Sequence, residues 1–180
     1  EEEAKDPRLL VAFMKKWKAT RVTFVPSYLR HVLEFTTASE SLEFLTHCIS
    51  SGEPLSLSLA ATFLKAAPSC RLLNLYGTSE ICGDITYFEV TPQYLEKTSS
   101  SFVPIGKPIP NVDIEIVDPN TGEVIHQNSS KPGELLTYGL CVAESYLNSD
   151  DKSLAHTSDR SLFNTHDLVH YNSSGDLMFI

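Results

Sequence analysis

The run Asn74-Leu75-Tyr76-Gly77-Thr78-Ser79-Glu80 gathers more chemistry-bearing side chains than any other stretch of this chain. An apolar segment, residues 71–76, leads into an aromatic ring, a glycine, two hydroxyls and a carboxylate. Ligands of open parallel sheets bind beyond the carboxyl ends of the strands. Tyr76 can offer a flat face to a purine, and Gly77 lets the backbone come close to a ligand. Thr78 and Ser79 can donate hydrogen bonds to phosphate oxygens, and Glu80 can hold a hard cation such as magnesium. The same run also reads as a strand-to-turn junction in which Thr78 or Ser79 caps a helix. A second stretch, residues 163–171, places Asp167 just before the turn Asn172-Ser173-Ser174-Gly175. Asp167 can accept two vicinal ribose hydroxyls, or it can cap the turn.

Other constellations carry less. His166 and His170 would share one face of a strand beside Asp167, but no further metal ligand adjoins them, and a surface hairpin is the simpler reading. Cysteines at 48, 70, 82 and 141 form no Cys-x-x-Cys pair. They read as reduced, mostly buried thiols suited to the cytoplasm. There is no nucleophile elbow and no dinucleotide-binding glycine pattern. Lys15-Lys16-Trp17-Lys18 reads as the solvated end of a helix. The 180 residues carry 14 basic and 23 acidic side chains, a formal charge of −9. That balance argues against nucleic acid and anionic membranes as partners, since both need a positive field. No apolar run reaches membrane-spanning length. The chain opens on Glu1-Glu2-Glu3 and stops in apolar Leu177–Ile180, which reads as part of a longer sequence.

The elements that must position these residues alternate at first. Asp6-Pro7 starts a helical pattern with Leu9, Leu10, Phe13, Met14 and Trp17 on one face. Strands are expected at 21–25, 44–49 and 71–76. The helices between them start at Ser27, burying Leu29, Val32, Leu33 and Phe35, and at Ser56, running through Leu59, Phe63 and Leu64 to Pro68. Residues 50–54 form a turn. Alternation of this kind implies a largely parallel sheet. From residue 85 the pattern changes to short strands: 85–90, a polar loop at 91–101, a hairpin of 112–117 with 123–126, a strand at 134–138, and a hairpin of 167–171 with 176–180. Serine-rich stretches 98–101 and 149–161 read as loops. The expected fold is α/β, a mostly parallel sheet with flanking helices (residues 1–90) followed by a small β-barrel or meander (91–180).

The order and spacing of the segments resemble the adenylate-forming superfamily: acyl-CoA synthetases, the amino-acid-activating domains of nonribosomal peptide synthetases, and luciferases. Val25-Pro26-Ser27 resembles its strand-to-helix junction, and Ser51-Gly52-Glu53-Pro54-Leu55 its Gly-Gly-Glu turn. Tyr76 to Glu80 resembles Tyr-Gly-x-Thr-Glu, and Ile105-Gly106-Lys107-Pro108 the Gly-x-Pro loop. Gly133 to Asn148 resembles Gly-Glu-Leu…Gly-Tyr-Leu-Asn, and Thr165 to Asp167 resembles Thr-Gly-Asp. Six matches in order cover nearly the whole chain. The stretch after Asp167 leans toward amino-acid- and β-alanine-activating enzymes.

The resemblance implies roles. Tyr76 would stack on adenine, with Asn74 and the Gly52-Glu53-Pro54 backbone at its edge, and Gly77 and Thr78 also among the nucleotide-binding residues. Ser79, where the family usually has Thr, would reach the α-phosphate. Ser79 and Glu80 would be the catalytic residues, Glu80 holding Mg2+, and Asp167 would accept the ribose hydroxyls. Ile49, Ser51, Leu75, Gly83 and Asp84 would line the substrate pocket; Asp84 is either a carboxylate that reads an amine or a turn residue. The activity implied is ATP-dependent adenylation of a small carboxylic or amino acid, followed by transfer to a thiol on coenzyme A or a phosphopantetheine carrier protein. His166 replaces the glycine of Thr-Gly-Asp, and Ser145 the glycine before Tyr146. The family's phosphate loop and its C-terminal domain with the catalytic lysine have no counterpart here. The fragment alone is therefore expected to be inactive. The alternative is a non-catalytic nucleotide-binding or scaffold module of the same fold.

Overall fold

A computed structural model describes residues 5–35, 42–147, 153–156 and 160–180. Asn148 and most of the stretch 149–161 lie outside the described residues. The chain divides into two compact units. One comprises 1–74 and 89–103, the other 75–88 and 104–180.

In the first unit, helix α1 (Pro7–Lys16) is followed by strand β1 (Arg21–Phe24), helix α2 (Pro26–Phe35), strand β2 (His47–Ser50), helix α3 (Leu57–Ala66) and the start of strand β3 (Arg71–Thr78). The pairings β1–β2 and β2–β3 are parallel and in continuous register, with Ser50 beside Asn74. The expected βαβ alternation is therefore observed. Asp6 caps α1 through Arg8 N, and Ser56 caps α3 through Leu59 N, each satisfying one orphan donor of a helix N-terminus. Leu29, Val32, Cys48, Leu59, Phe63 and Leu72 are buried. Burying an apolar side chain of this size contributes roughly 1.5–3 kcal/mol.

Local expectations of helix packing and loop content fail in this unit. Helix α1 buries Val11 and Met14, whereas Leu9, Phe13 and Trp17 are exposed; α1 is apolar on more than one side, and the side that meets α2 wins. Phe35 is exposed, its ring 5.9 Å from the Arg8 guanidinium. The expected loop 91–101 contains a helix, α4 (Pro92–Lys97), with Thr91 accepting from Tyr94 N. Pro92 stands at its first position, where the missing N–H costs nothing.

In the second unit, β3 ends in a short 3₁₀ turn at Ser79–Ile81, and strand β4 (Gly83–Val90) begins. β4 pairs antiparallel with β5 (Lys107–Pro108). A separate sheet has the order β10 (Leu177–Phe179), β9 (Ser161–Tyr171), β7 (Gly133–Tyr138), β6 (Asp113–Val117), with β8 (Leu154–His156) also on β9. All of its pairings are antiparallel. Of the two expected forms, barrel or meander, the described residues give the open meander. Residues 123–126 do not complete a hairpin strand; a single bridge joins Val124 to Val117. Ile105, Ile116, Leu135, Val169 and Leu177 form one apolar cluster, and Ile81, Ile85, Val112, Val142 and Phe163 form another. Tyr76 packs against both.

Two of the four free cysteines, Cys48 and Cys70, are buried, whereas Cys82 is exposed and Cys141 intermediate. Burial pushes the Cys70 thiol up to about 11. Among the described residues no helix is long and apolar enough to cross a membrane.

Candidate nucleotide site

Alternation along β3 turns Asn74, Tyr76 and Thr78 to one face, and Leu75 and Gly77 to the other. At the end of the strand Thr78 takes the cap position of the 3₁₀ turn, but its side chain makes no cap hydrogen bond. The run is thus a strand-to-turn junction, but Thr78 does not cap the turn through its side chain. Thr78 Oγ1 is buried without a hydrogen-bond partner among the described residues, a state that costs roughly 1–3 kcal/mol unless a ligand or water satisfies it. Gly77 serves its own chain: a Cβ there would meet the Gly83 carbonyl oxygen at 1.7 Å and Asp84 Cα at 2.6 Å. Ser79 and Gly83 are exposed, and Leu75, Glu80 and Asp84 are half-buried.

The hydroxyl of Tyr76 donates to Asp167 Oδ2. That contact ties the β3 segment to the Thr165-His166-Asp167 segment, 91 residues later. Burial first, then the hydrogen bond to the Asp167 carboxylate, pushes the Tyr76 phenol up, so it stays a donor at neutral pH. The Tyr76 ring lies 6.2 Å from that of Phe179, tilted by 44°. Thr165 Oγ1 donates to Leu135 O at 2.9 Å and accepts from Asp167 N at 3.1 Å. Those bonds hold the Asp167 backbone on β9, where its ladder with β7 shifts register.

His166, in the glycine position of the resembled motif, has φ 57°. The left-handed conformation is therefore retained with a side chain that pays some strain for it. Its N–H donates to Asn164 Oδ1 at 2.9 Å, and its ring lies 3.2 Å from Ser153 Oγ and 3.6 Å from Glu134 Oε2. Among the described residues no three His, Cys, Asp or Glu side chains are grouped to hold an ion.

Glu80 is held from residues 143–146. Its carbonyl accepts from Ala143 N at 2.7 Å, and its carboxylate accepts from the Tyr146 hydroxyl at 2.9 Å. Tyr146 stands in the Gly-Glu-Leu…Gly-Tyr-Leu-Asn motif, but its bond to Glu80 is not readable from sequence, because the partner is 66 positions away.

The first unit holds the remaining candidates. Ile49 and Ser51 are half-buried, and Gly52, Glu53 and Pro54 are exposed. Asn74 and Ser50 are buried, and Ser50 Oγ has no hydrogen-bond partner among the described residues. Gly52 has φ 88°, so the turn needs glycine there. The Glu53 carboxylate accepts from both Ser27 N and Ser27 Oγ at 2.8 Å. Ser27 is thus not the cap of α2. Glu53 serves that role from another loop, its negative charge at the positive end of the helix. A cleft of about 220 Å³ in the second unit is lined by Gly106, Lys107 and Pro108 of the Gly-x-Pro loop, with Asp113, Gln127 and Tyr171, and by none of the candidate nucleotide, substrate or metal residues.

Residues 1–147 match the family described as AMP-binding enzyme. The β-alanyl-bioamine nonribosomal peptide synthetase ebony of Drosophila melanogaster is 35% identical over 157 residues, 82% of this chain and 17% of that protein. The chain thus spans less than a fifth of that relative. Among solved structures, the adenylation domain AlmE of Vibrio cholerae, in complex with glycyl-adenosine-5'-phosphate, has a TM-score of 0.79 at 24% identity, over 94% of this chain and 32% of that one. PA1221, a nonribosomal peptide synthetase protein containing adenylation and PCP domains, has a TM-score of 0.85 at 23% identity, over 97% and 35%. The fold is that of the N-terminal part of such adenylation enzymes, and the chain belongs to the AMP-binding enzyme family.

Proposed function

We propose that the chain is the nucleotide-holding part of an ATP-dependent ligase. The intact protein would join a small carboxylic or amino acid to AMP, release pyrophosphate, and pass the acyl group to a thiol. The observation that carries this reading is the Tyr76–Asp167 contact. It brings together the two segments that the family resemblance assigns to adenine and ribose. Tyr76 presents the ring for the base and orients Asp167 for the two ribose hydroxyls. The unpartnered Thr78 Oγ1 and the exposed Ser79 supply donors for phosphate oxygens. The carboxylate of the acid attacks the α-phosphorus in line, forming the new P–O bond as pyrophosphate leaves. These residues contribute positioning and charge stabilisation, with no side-chain nucleophile.

Magnesium suits this donor set. It binds through one or two carboxylates and otherwise keeps water and substrate phosphates, and Glu80 is the carboxylate at hand. When bound, the ion would neutralise phosphate charge. In the first unit, Gly52, Glu53, Pro54 and Asn74 keep the adenine-edge assignment that the resemblance gives them. Ile49, Ser51, Leu75, Gly83 and Asp84 keep the substrate-pocket assignment. Residues 1–90 and 91–180 are two parts of one AMP-binding domain in this reading. An amino-acid substrate and a phosphopantetheine carrier as acceptor are favoured over a fatty acid and coenzyme A. The names of ebony and PA1221 support that choice. The enzyme would work in the cytoplasm, where ATP and free thiols are abundant.

The test is ATP–pyrophosphate exchange by the full-length protein against a panel of carboxylic and amino acids, beside Glu80→Ala and Asp167→Ala. Exchange with one class of acid, lost in both variants, is expected. Calorimetric binding of ATP with magnesium but no exchange with any acid would instead favour the non-catalytic module.

A further inference from the structure

We infer that Tyr146 is a positioning residue for Glu80: its hydroxyl fixes the carboxylate that receives the metal ion, so the Gly-Glu-Leu…Tyr-Leu segment is more than scaffold. The inference rests on the assignment of Glu80 as the magnesium ligand. Three contacts dock residues 142–146 onto the turn that carries Glu80. Ala143 N donates to the Glu80 carbonyl at 2.7 Å. Val142 and Ile81 are buried in one apolar cluster. Tyr146 Oη donates to Glu80 Oε1 at 2.9 Å. The first two fix the backbone of the turn; the third reaches the functional group itself.

That division of labour matters because of where Glu80 sits. It lies in a three-residue 3₁₀ turn, followed by Cys82 in a left-handed conformation with φ 61° and then by Gly83 with φ 97°. A glutamate has three rotatable side-chain bonds, and ordering it for an ion costs rotamer entropy. A hydroxyl donating to an ionised carboxylate is a charge-assisted bond. It settles the rotamer before the ion arrives. The bond also leaves the carboxylate charged, because Tyr146 enters as donor and not as acid. Groups that orient a metal ligand from behind typically govern affinity by 10–100-fold. Tyr146 is half-buried, so the effect expected is at the low end, roughly tenfold.

The experiment uses the full-length protein with Mn2+ as the spectroscopic probe. Ion binding to the complex with the α,β-methylene analogue of ATP is followed by electron paramagnetic resonance. Tyr146→Phe removes the hydroxyl and keeps the ring. It should weaken Mn2+ binding roughly tenfold, leave metal-free analogue binding unchanged, and add no further loss to Glu80→Gln. Mn2+ binding by Tyr146→Phe equal to the unmodified protein would overturn the inference. So would a loss of metal-free binding, or an additive loss in the double variant; either makes Tyr146 a general packing residue. If Glu80→Gln itself binds Mn2+ normally, the metal assignment of Glu80 fails, and this inference fails with it for that separate reason.

Discussion

Asp118 shows how much one carboxylate can do for a turn. It is nearly buried at the mouth of the turn after β6. Its Oδ1 accepts from Asn120 N at 2.8 Å and Thr121 N at 3.3 Å, and its Oδ2 receives the Lys131 ammonium. The Lys131 hydrogen bond, then that of the Asn120 N–H, holds its pKa down to about 2, against an ordinary 3.8. A carboxyl whose folded pKa is depressed adds stability that is fully present above the unfolded value and is lost as pH falls through the folded one. The window is therefore about 3.8 down to about 2. The stability gap between the protein and its Asp118→Asn variant should be constant above pH 5 and shrink across that window, as read by urea unfolding at a series of pH values. A gap that stays constant down to pH 2.5 would show that the Lys131 pair contributes nothing. His166 illustrates what can be read at this scale from sequence. Its place in a glycine motif was legible, and its φ is positive, but its contacts with Ser153 and Glu134 could not be read.

At the scale of elements, the parallel strands were legible because short runs rich in apolar residues are bounded by Pro26, the Gly52 turn and the helix-capping Ser56. Helix α4 was legible in principle, from Thr91 and Pro92, but its polar surface hid it; none of its residues is buried. The face of α1 was not legible, since periodicity gives a stripe and only packing decides which of two stripes is covered. The hairpin at 123–126 is reduced to the one bridge between Val117 and Val124, where Asp118 N donates to Glu123 O at 2.9 Å and Ile125 N to Ile116 O at 2.7 Å. Gly77 is the point where element packing and site meet. Its φ is not in the left-handed region, so conformational freedom is not the reason for glycine there. The reason is that the Gly83 carbonyl sits where a Cβ would be. Gly122 is the contrasting case, with φ 72° and open space around it. Gly77→Ala must push β4 away and should cost about 3 kcal/mol or more. Gly122→Ala meets only the left-handed backbone penalty, roughly 1–2 kcal/mol. Denaturant midpoints of the two variants measure the difference, and equal costs would mean that the approach of β4 to Gly77 is not tight.

For the whole molecule, the family was legible because six short segments stand in a fixed order, each weak alone. The bond from Tyr146 to Glu80 was not legible, because a side-chain partner 66 residues away leaves no local trace. The same holds for the Tyr76–Asp167 bond, which changes what each residue is expected to do for a nucleotide. The ring of Tyr76 and the carboxylate of Asp167 would touch the ligand, whereas the Tyr76 hydroxyl only orients Asp167. A ligand that binds the folded state stabilises it by RT ln(1 + [L]/Kd), about 2.7 kcal/mol at a hundredfold excess over Kd. The rise in melting temperature of the full-length protein with AMP or ATP therefore separates the three groups, each variant being compared with its own ligand-free state. Tyr76→Phe should keep most of the rise, because the stacking surface remains. Tyr76→Ala should lose most of it, since base–aromatic stacking contributes roughly 1–3 kcal/mol. Asp167→Ala should lose it as well, because the ribose acceptor is gone. Equal retention by Tyr76→Phe and Tyr76→Ala would mean that the ring does not stack on the base, and that the contact with Asp167 serves the fold alone.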